Sequence, residues 1–228
     1  MVVSTQECAL VPSGVTPTDA AAVGTSGMTA FLSYPTSIVK PGAKVFINGG
    51  SGGTGTFGIQ IAKLLGAHVT VSCSTTNIEL CKRLGADEVI DYKKVDILTA
   101  LKAKGKVFDL VVDNVGSPAD LYERSHEFLK QGTGEFRQVA LYPSFSAFGK
   151  VASRSFRPAF LGGGRSKYGL VSVKPSTAGF EQLGKWVAEG KVKPVVEKIW
   201  KLEEVKEAFV ELKKGRTRGK FVVSVGEV

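Results

Sequence analysis

Apolar residues follow two rhythms along this chain. Unbroken apolar runs such as Lys44-Val45-Phe46-Ile47-Asn48, His68-Val69-Thr70-Val71-Ser72-Cys73 and Phe108-Asp109-Leu110-Val111-Val112-Asp113 alternate with stretches whose apolar residues recur every three or four positions. Runs of the first kind predict strands buried on both faces, and the second kind predicts amphipathic helices. Strands are expected at 44–48, 68–73, 88–92, 108–113, 135–141, 170–173, 195–200 and 221–225, with helices at 57–65, 77–84, 95–104, 121–129, 179–189 and 202–213. Pro12, Gly14 and Pro17 make residues 1–18 an irregular lead-in. Asp19 is the expected N-cap of a helix entered at Ala20 and interrupted at Gly24 and Gly27. The stretch 142–169 reads as loop. Strands that alternate with helices of this length predict an α/β protein with a parallel sheet covered on both faces.

The first strand runs into Asn48-Gly49-Gly50-Ser51-Gly52-Gly53-Thr54-Gly55, which holds GxGxxG at Gly50, Gly52 and Gly55. Alone the pattern is weak. Here a strand precedes it, a helix follows, and a second strand completes the unit, as a dinucleotide site of the Rossmann-type doubly wound fold requires. Gly50 permits the tight turn, Gly52 admits the pyrophosphate to the backbone, and Gly55 lets helix and strand pack closely. Ser51, Gly53 and Thr54 complete the loop that presents backbone amides at the positive end of the helix.

The end of the second strand bears on the choice of cofactor. An NAD site expects Asp or Glu there, about 20 residues past the glycines, to bond the ribose 2′-hydroxyl. This strand ends in Ser72-Cys73-Ser74-Thr75-Thr76-Asn77, with Lys82, Arg83 and Lys93 close in sequence. Hydroxyls and an amide accept a 2′-phosphate that a carboxylate would repel, so NADPH is expected ahead of NADH. Ser74 and Asn77 can equally cap the next helix. Asn114, after the fourth strand, is a candidate for cofactor contact or for capping a turn.

Charge changes the picture little. All of the net +9 lies in residues 150–228, where 17 Lys/Arg face 8 Asp/Glu. Acids are interspersed, as in Lys201-Leu202-Glu203-Glu204-Val205-Lys206-Glu207, which is the pattern of a solvated helix rather than a nucleic-acid surface. Cys8, Cys73 and Cys81 form no CxxC pair, and His68 and His126 lie in unrelated segments, so no metal is expected. Cys73 and Cys81 read as buried strand and helix residues. No apolar run approaches the ~18 residues of a membrane helix. With no signal-peptide layout at residues 1–5, the expected location is the cytoplasm, or an organelle if a targeting segment precedes this start.

Taken together, Ala20-Ala21-Ala22, Gly27-Met28-Thr29-Ala30, the glycine loop, Leu84-Gly85-Ala86-Asp87-Glu88-Val89-Ile90-Asp91-Tyr92, Asp113-Asn114-Val115-Gly116 and Gly219-Lys220-Phe221-Val222-Val223 resemble the zinc-independent quinone oxidoreductases (zeta-crystallin type) of the medium-chain dehydrogenase/reductase superfamily. The resemblance implies hydride transfer from NADPH to a quinone, or to the β-carbon of an enone or enoyl group, in a homodimer. It places Thr29 at the nicotinamide, Gly52 and Gly55 at the pyrophosphate, and Ser74, Asn77 and Tyr92 near the 2′-phosphate ribose. Asn114, Leu141 and Ser144 would line the rest of the groove. Tyr142 and Tyr168 are candidate proton donors, with ordinary packing or cofactor stacking as the alternative. The family sets a GroES-like catalytic domain before the Rossmann domain. By that layout residues 1–18 are a remnant of it, 19–174 the dinucleotide-binding domain, and 175–228 the return to the catalytic domain. A dinucleotide-binding or interaction protein without catalysis is the alternative function, and RNA binding a third.

Overall fold

The computed structural model describes residues 4–139, 154 and 165–226. Strands β1 (Lys44–Asn48), β2 (His68–Cys73), β3 (Glu88–Asp91), β4 (Leu110–Asp113), β5 (Glu135–Gln138) and β6 (Lys167–Leu170) form one sheet in the order β3-β2-β1-β4-β5-β6. Every pairing in it is parallel. This is the Rossmann-type doubly wound sheet, whose strand order reverses between β1 and β4.

Strand alternation sorts the side chains between two cores. Val45, Ile47, Val69, Val71, Leu110 and Val112 join one cluster, and Phe46, Val111 and Phe136 join the other. The first is covered by α1 (Pro17–Ser33), α2 (Gly53–Leu64), α3 (Ile78–Arg83) and, through Leu183, α5 (Thr177–Ala188). The second is covered by α4 (Ile97–Ala103) and by the turns around Leu121, Tyr122 and Phe128. Each fully buried Phe or Leu adds roughly 1.5–3 kcal/mol of transfer free energy. A separate two-stranded parallel sheet pairs β7 (Val196–Lys201) with β8 (Lys220–Ser224) across α6 (Val205–Lys213).

Several element boundaries differ from the sequence expectation. The first helix begins at Pro17, capped by Thr16, whose hydroxyl accepts from the Asp19 N–H at 3.1 Å; Asp19 itself sits in the first turn. The interruption expected at Gly24 is present as a kink with non-helical backbone, while Gly27 stays helical and the helix runs on to Ser33. The helix expected over 121–129 is a set of turns holding one 3₁₀ turn at Ser125–Glu127. Its apolar residues fall at helical spacing, but the Phe108 N–H donates to the Phe128 carbonyl and the Phe108 carbonyl accepts the Lys130 N–H, which draws the segment into the sheet margin. The strand expected at 170–173 lies earlier, at Lys167–Leu170.

Tyr34 carries a buried hydroxyl with no partner among the described residues. Tyr34 packs where α1 meets α2, against Gly58, with its hydroxyl sealed from solvent and unbonded. Burial pushes the ionisation of that phenol far above its ordinary range. Tyr34→Phe is therefore expected to raise stability by about 1 kcal/mol, because it deletes an unsatisfied buried polar atom. The corresponding rise in Tm is roughly 2–4 °C for a chain of this size, read by thermal melting.

Candidate functional site

The carboxyl ends of β1, β2 and β4 open into a cleft of about 1090 Å³. A chain of hydrogen bonds ties these ends together. The Gly49 N–H donates to Ser72 Oγ at 3.0 Å, and Ser72 Oγ donates to Asn48 Oδ1 at 2.6 Å. Asn48 Nδ2 donates to Asp113 Oδ1 and to the Ser117 carbonyl, each at 2.8 Å. The same Asp113 oxygen accepts the Val115 and Gly116 N–H groups at 3.0 and 2.9 Å. One buried network thus fixes both the glycine loop and the turn after β4.

The loop closes tightly onto α2. A Cβ on Gly55 would lie 2.1 Å from the Gly49 carbonyl oxygen, so backbone fills the space of any side chain. A Cβ on Gly52 would meet only that oxygen, at 3.9 Å, and would otherwise stand in the cleft. Gly52 is the N-cap of α2 and has no side chain to occupy the helix mouth. No side chain therefore caps the helix mouth, as anion binding at a helix N-terminus requires.

Of the residues singled out from the sequence, Ser51, Gly52, Gly53, Thr54, Gly55, Ser74, Asn77, Tyr92 and Asn114 all line this cleft. Gly50 lies beneath it, its N–H given to the Ser72 carbonyl and its Cα against Val71. Thr29 is buried in α1, its hydroxyl donating to the Thr25 carbonyl at 2.6 Å, and is not among the lining residues. Tyr168 sits in β6. Its hydroxyl donates to Gln138 Oε1 at 3.1 Å, and its ring packs edge-on to Tyr122 with centroids 4.9 Å apart. It holds a packing position outside the cleft lining. Leu141, Tyr142 and Ser144 lie outside the described residues.

Ser74 and Asn77 precede α3 without either side chain capping it. Asp113, rather than Asn114, caps the turn after β4. Asn114 is left with both amide atoms buried and unbonded, and Asn77, which donates to Ser51 Oγ at 2.9 Å, keeps an unbonded Oδ1. Orphaned buried polar atoms are rare, and these point to a ligand that completes them.

Sequence reasoning missed the far wall. Glu197 and the loop Gly215-Arg216-Thr217-Arg218, between α6 and β8, also line the cleft. The Arg218 N–H donates to Glu197 Oε2 at 2.9 Å, and Thr217 Oγ1 is buried without a partner. The loop is stitched to the glycine turn, since the Gly219 N–H donates to the Ser51 carbonyl at 2.9 Å. Two glycines bracketing Arg-Thr-Arg before a strand were the available signal. Near the β2 end of the cleft, Lys93 lines the wall beside Tyr92. Asp91 accepts from Thr75 Oγ1, which holds its carboxyl below the usual carboxylate range.

Comparison with known proteins agrees with this geometry. A family model described as zinc-binding dehydrogenase matches residues 84–223, more than half of the chain. The chain belongs to the zinc-binding dehydrogenase family of the medium-chain dehydrogenase/reductase superfamily. Among members of the superfamily, a trans-enoyl reductase of Aspergillus terreus is 42% identical over 225 residues, covering 96% of this chain and 62% of its own length. A mitochondrial NAD(P)H oxidoreductase of Bos taurus is 32% identical over 244 residues, covering 99% of this chain and 60% of its own. The quinone oxidoreductase structure from Coxiella burnetii superposes with a TM-score of 0.80 at 30% identity, over 95% of this chain and 63% of that one. The chain thus spans about three-fifths of the length of these relatives. The family name carries zinc, yet among the described residues no three His, Cys, Asp or Glu side chains gather as ligands, so these residues do not fit the metal. Among them, too, no helix is long and apolar enough to cross a membrane.

Proposed function

We propose that this medium-chain dehydrogenase/reductase chain is an NADPH-dependent, zinc-independent reductase, or the cofactor-binding part of one, acting on a quinone or an α,β-unsaturated carbonyl or enoyl acceptor. The observation that carries the reading is the cleft itself. Its lining includes a helix mouth with no side-chain cap, and Asn77, Asn114 and Thr217, each with an orphaned buried polar atom. The preference for NADPH is supported by the absence of a carboxylate at Ser74 and by Lys93, Arg216 and Arg218 in the lining. The acceptor class follows the activities for which the trans-enoyl reductase and quinone oxidoreductase relatives are named.

When bound, the nicotinamide supplies a hydride to an electron-poor carbon. This chain's residues hold the molecule that carries it. The α2 amides would donate to the diphosphate oxygens, Asn114 would bond the polar edge of the nucleotide, and Ser74 with the basic lining would receive the 2′-phosphate. The Asn48–Asp113–Ser72 network keeps these groups in place before binding, which lowers the ordering cost. For a protein of its relatives' length, the reading includes a homodimer with a GroES-like domain forming the opposite wall of the substrate cleft.

The test is a fluorescence titration of the chain with NADPH and NADH, followed by addition of 9,10-phenanthrenequinone or a 2-enoyl thioester. NADPH is expected to bind on the order of tenfold tighter than NADH, the scale of one charge-assisted contact to the 2′-phosphate. Binding of neither nucleotide would overturn the proposal, and equal affinities would overturn the NADPH preference. Tight binding without turnover would assign the chain to nucleotide binding alone.

A further inference from the structure

Two thiols sit under the glycine loop. Cys73 ends β2 and Cys81 lies in α3, both free and both buried in the same apolar core. Val71 and Cys73, two positions apart on one strand, project from the same face of β2. Cys81 covers that face: a Cβ on Gly50 would lie 2.9 Å from Val71 Cβ and 3.3 Å from Cys81 Sγ. The thiols meet between strand and helix, where Cys81 hydrogen-bonds to Cys73. That bond draws the Cys73 thiol below its ordinary range. Giving the hydrogen, together with burial, pushes Cys81 far above it.

Access is unequal as well. Cys73 belongs to the cleft wall and Cys81 does not. A small oxidant in the cleft therefore meets the more easily ionised thiol first, with a second thiol in contact behind it. Among the described residues no three His, Cys, Asp or Glu side chains gather as metal ligands, so the pair is not part of a metal site there. Neither thiol has a part in the hydride transfer considered above.

We propose that Cys73 and Cys81 are a peroxide-sensitive dithiol, with Cys73 the thiol oxidised and Cys81 the thiol that resolves it, and that their disulfide weakens dinucleotide binding. The Cys73 thiolate attacks one oxygen of hydrogen peroxide. The O–O bond breaks, the departing hydroxide takes up the proton that Cys73 released, and Cys73 becomes a sulfenic acid. The Cys81 sulfur then attacks the Cys73 sulfur. The S–O bond breaks, and the departing hydroxide takes the Cys81 proton, giving a second water and the disulfide. Two electrons have passed from the thiols to peroxide. The effect on binding rests on the dinucleotide reading above. A covalent bond brings the sulfurs closer than any nonbonded contact, so α3 must shift against β2. Asn77, which immediately precedes α3 and bonds Ser51 Oγ, shifts with it, and both residues line the cleft.

The experiment treats Cys8→Ser, which removes the exposed third thiol, with hydrogen peroxide and follows intact mass, a peptide map and NADPH titration. The expected product has lost two hydrogens and carries a Cys73–Cys81 cross-link. It should bind NADPH about tenfold more weakly, the scale of one lost contact, until dithiothreitol restores it. NADPH at about ten times its Kd should slow the cross-linking roughly tenfold, because occupied chain is withdrawn from reaction. Cys81→Ser in the same background should stop at a sulfenic acid on Cys73, captured by dimedone. Peroxide that leaves both thiols free, or oxidises Cys81 with Cys73 untouched, would overturn the proposal, as would complete cross-linking with undiminished NADPH affinity. If the reduced chain binds no dinucleotide, the functional reading fails and the binding half of this proposal with it, while the mass and peptide map still decide the thiol chemistry.

Discussion

Gly55→Ala is expected to abolish NADPH binding and to destabilise the fold together. Its Cβ would fall 2.1 Å from the Gly49 carbonyl oxygen and 2.8 Å from both the carbon and the oxygen of the Gly50 carbonyl. All three are backbone atoms, so no rotamer change relieves the clash, and the loop or the helix must move. Overpacking of this kind costs about 3 kcal/mol or more. Gly52→Ala provides the contrast. There the added carbon meets nothing nearer than 3.9 Å, and the backbone is extended at φ −77°, which any residue adopts. Its melting temperature should stay within a degree or two of wild type, while the methyl occupies the approach of the diphosphate and affinity falls by about a hundredfold, the scale of two lost charge-assisted contacts. Thermal melts and NADPH titrations on the two variants separate the roles. Unimpaired binding in Gly52→Ala would show that the helix mouth is not the diphosphate site.

The second large effect is expected at Asp113. Its side chain is 2% exposed, and one of its oxygens accepts the Asn48 amide and two backbone N–H groups. Asp113→Ala leaves the Val115 and Gly116 donors without their acceptor, and leaves Asn48 Nδ2 with the Ser117 carbonyl alone. The cost is roughly 3 kcal/mol, since unsatisfied buried donors carry their full desolvation penalty. For a chain of this length that is a fall in Tm of roughly 6–12 °C. Asp113→Asn, which keeps an acceptor oxygen, should lose less than half as much. NADPH affinity should fall in Asp113→Ala even at temperatures where the chain is folded, because Asn114 and the turn behind it lose their anchor. A melting point unchanged by Asp113→Ala would mean that the network adds nothing to the fold.

The central βαβ unit was plain in the sequence because its determinants are local. A fully apolar strand, a glycine loop and a helix with spaced apolar residues lie within about twenty positions, and all appear where expected, at 44–48, 49–55 and in α2. The cleft residues from Ser51 to Asn114 were legible for the same reason, since parallel strands deliver their carboxyl ends to one edge. Local pattern misled at 121–129, where Leu121, Tyr122, Phe128 and Leu129 sit at helical spacing but the core accepts them from turns. It was silent on Arg216, Thr217 and Arg218. Those residues reach the cleft only because β8 bridges a loop some 167 positions earlier, a partnership that no window of sequence contains. Tyr168 was singled out for its chemistry, and its position in β6 against Tyr122 was invisible for the same non-local reason.

That long-range stitch has a consequence for biosynthesis. Once residues through Gln138 have left the ribosome, five strands of the large sheet can assemble, but the Ser51 carbonyl still waits for Gly219 to be translated. Contacts so far apart along the chain form slowly, after the entropy of closing a long loop has been met. The nascent protein therefore carries a nearly finished sheet beside an unfinished cleft, whose lining is complete only once residues 215–219 have been made.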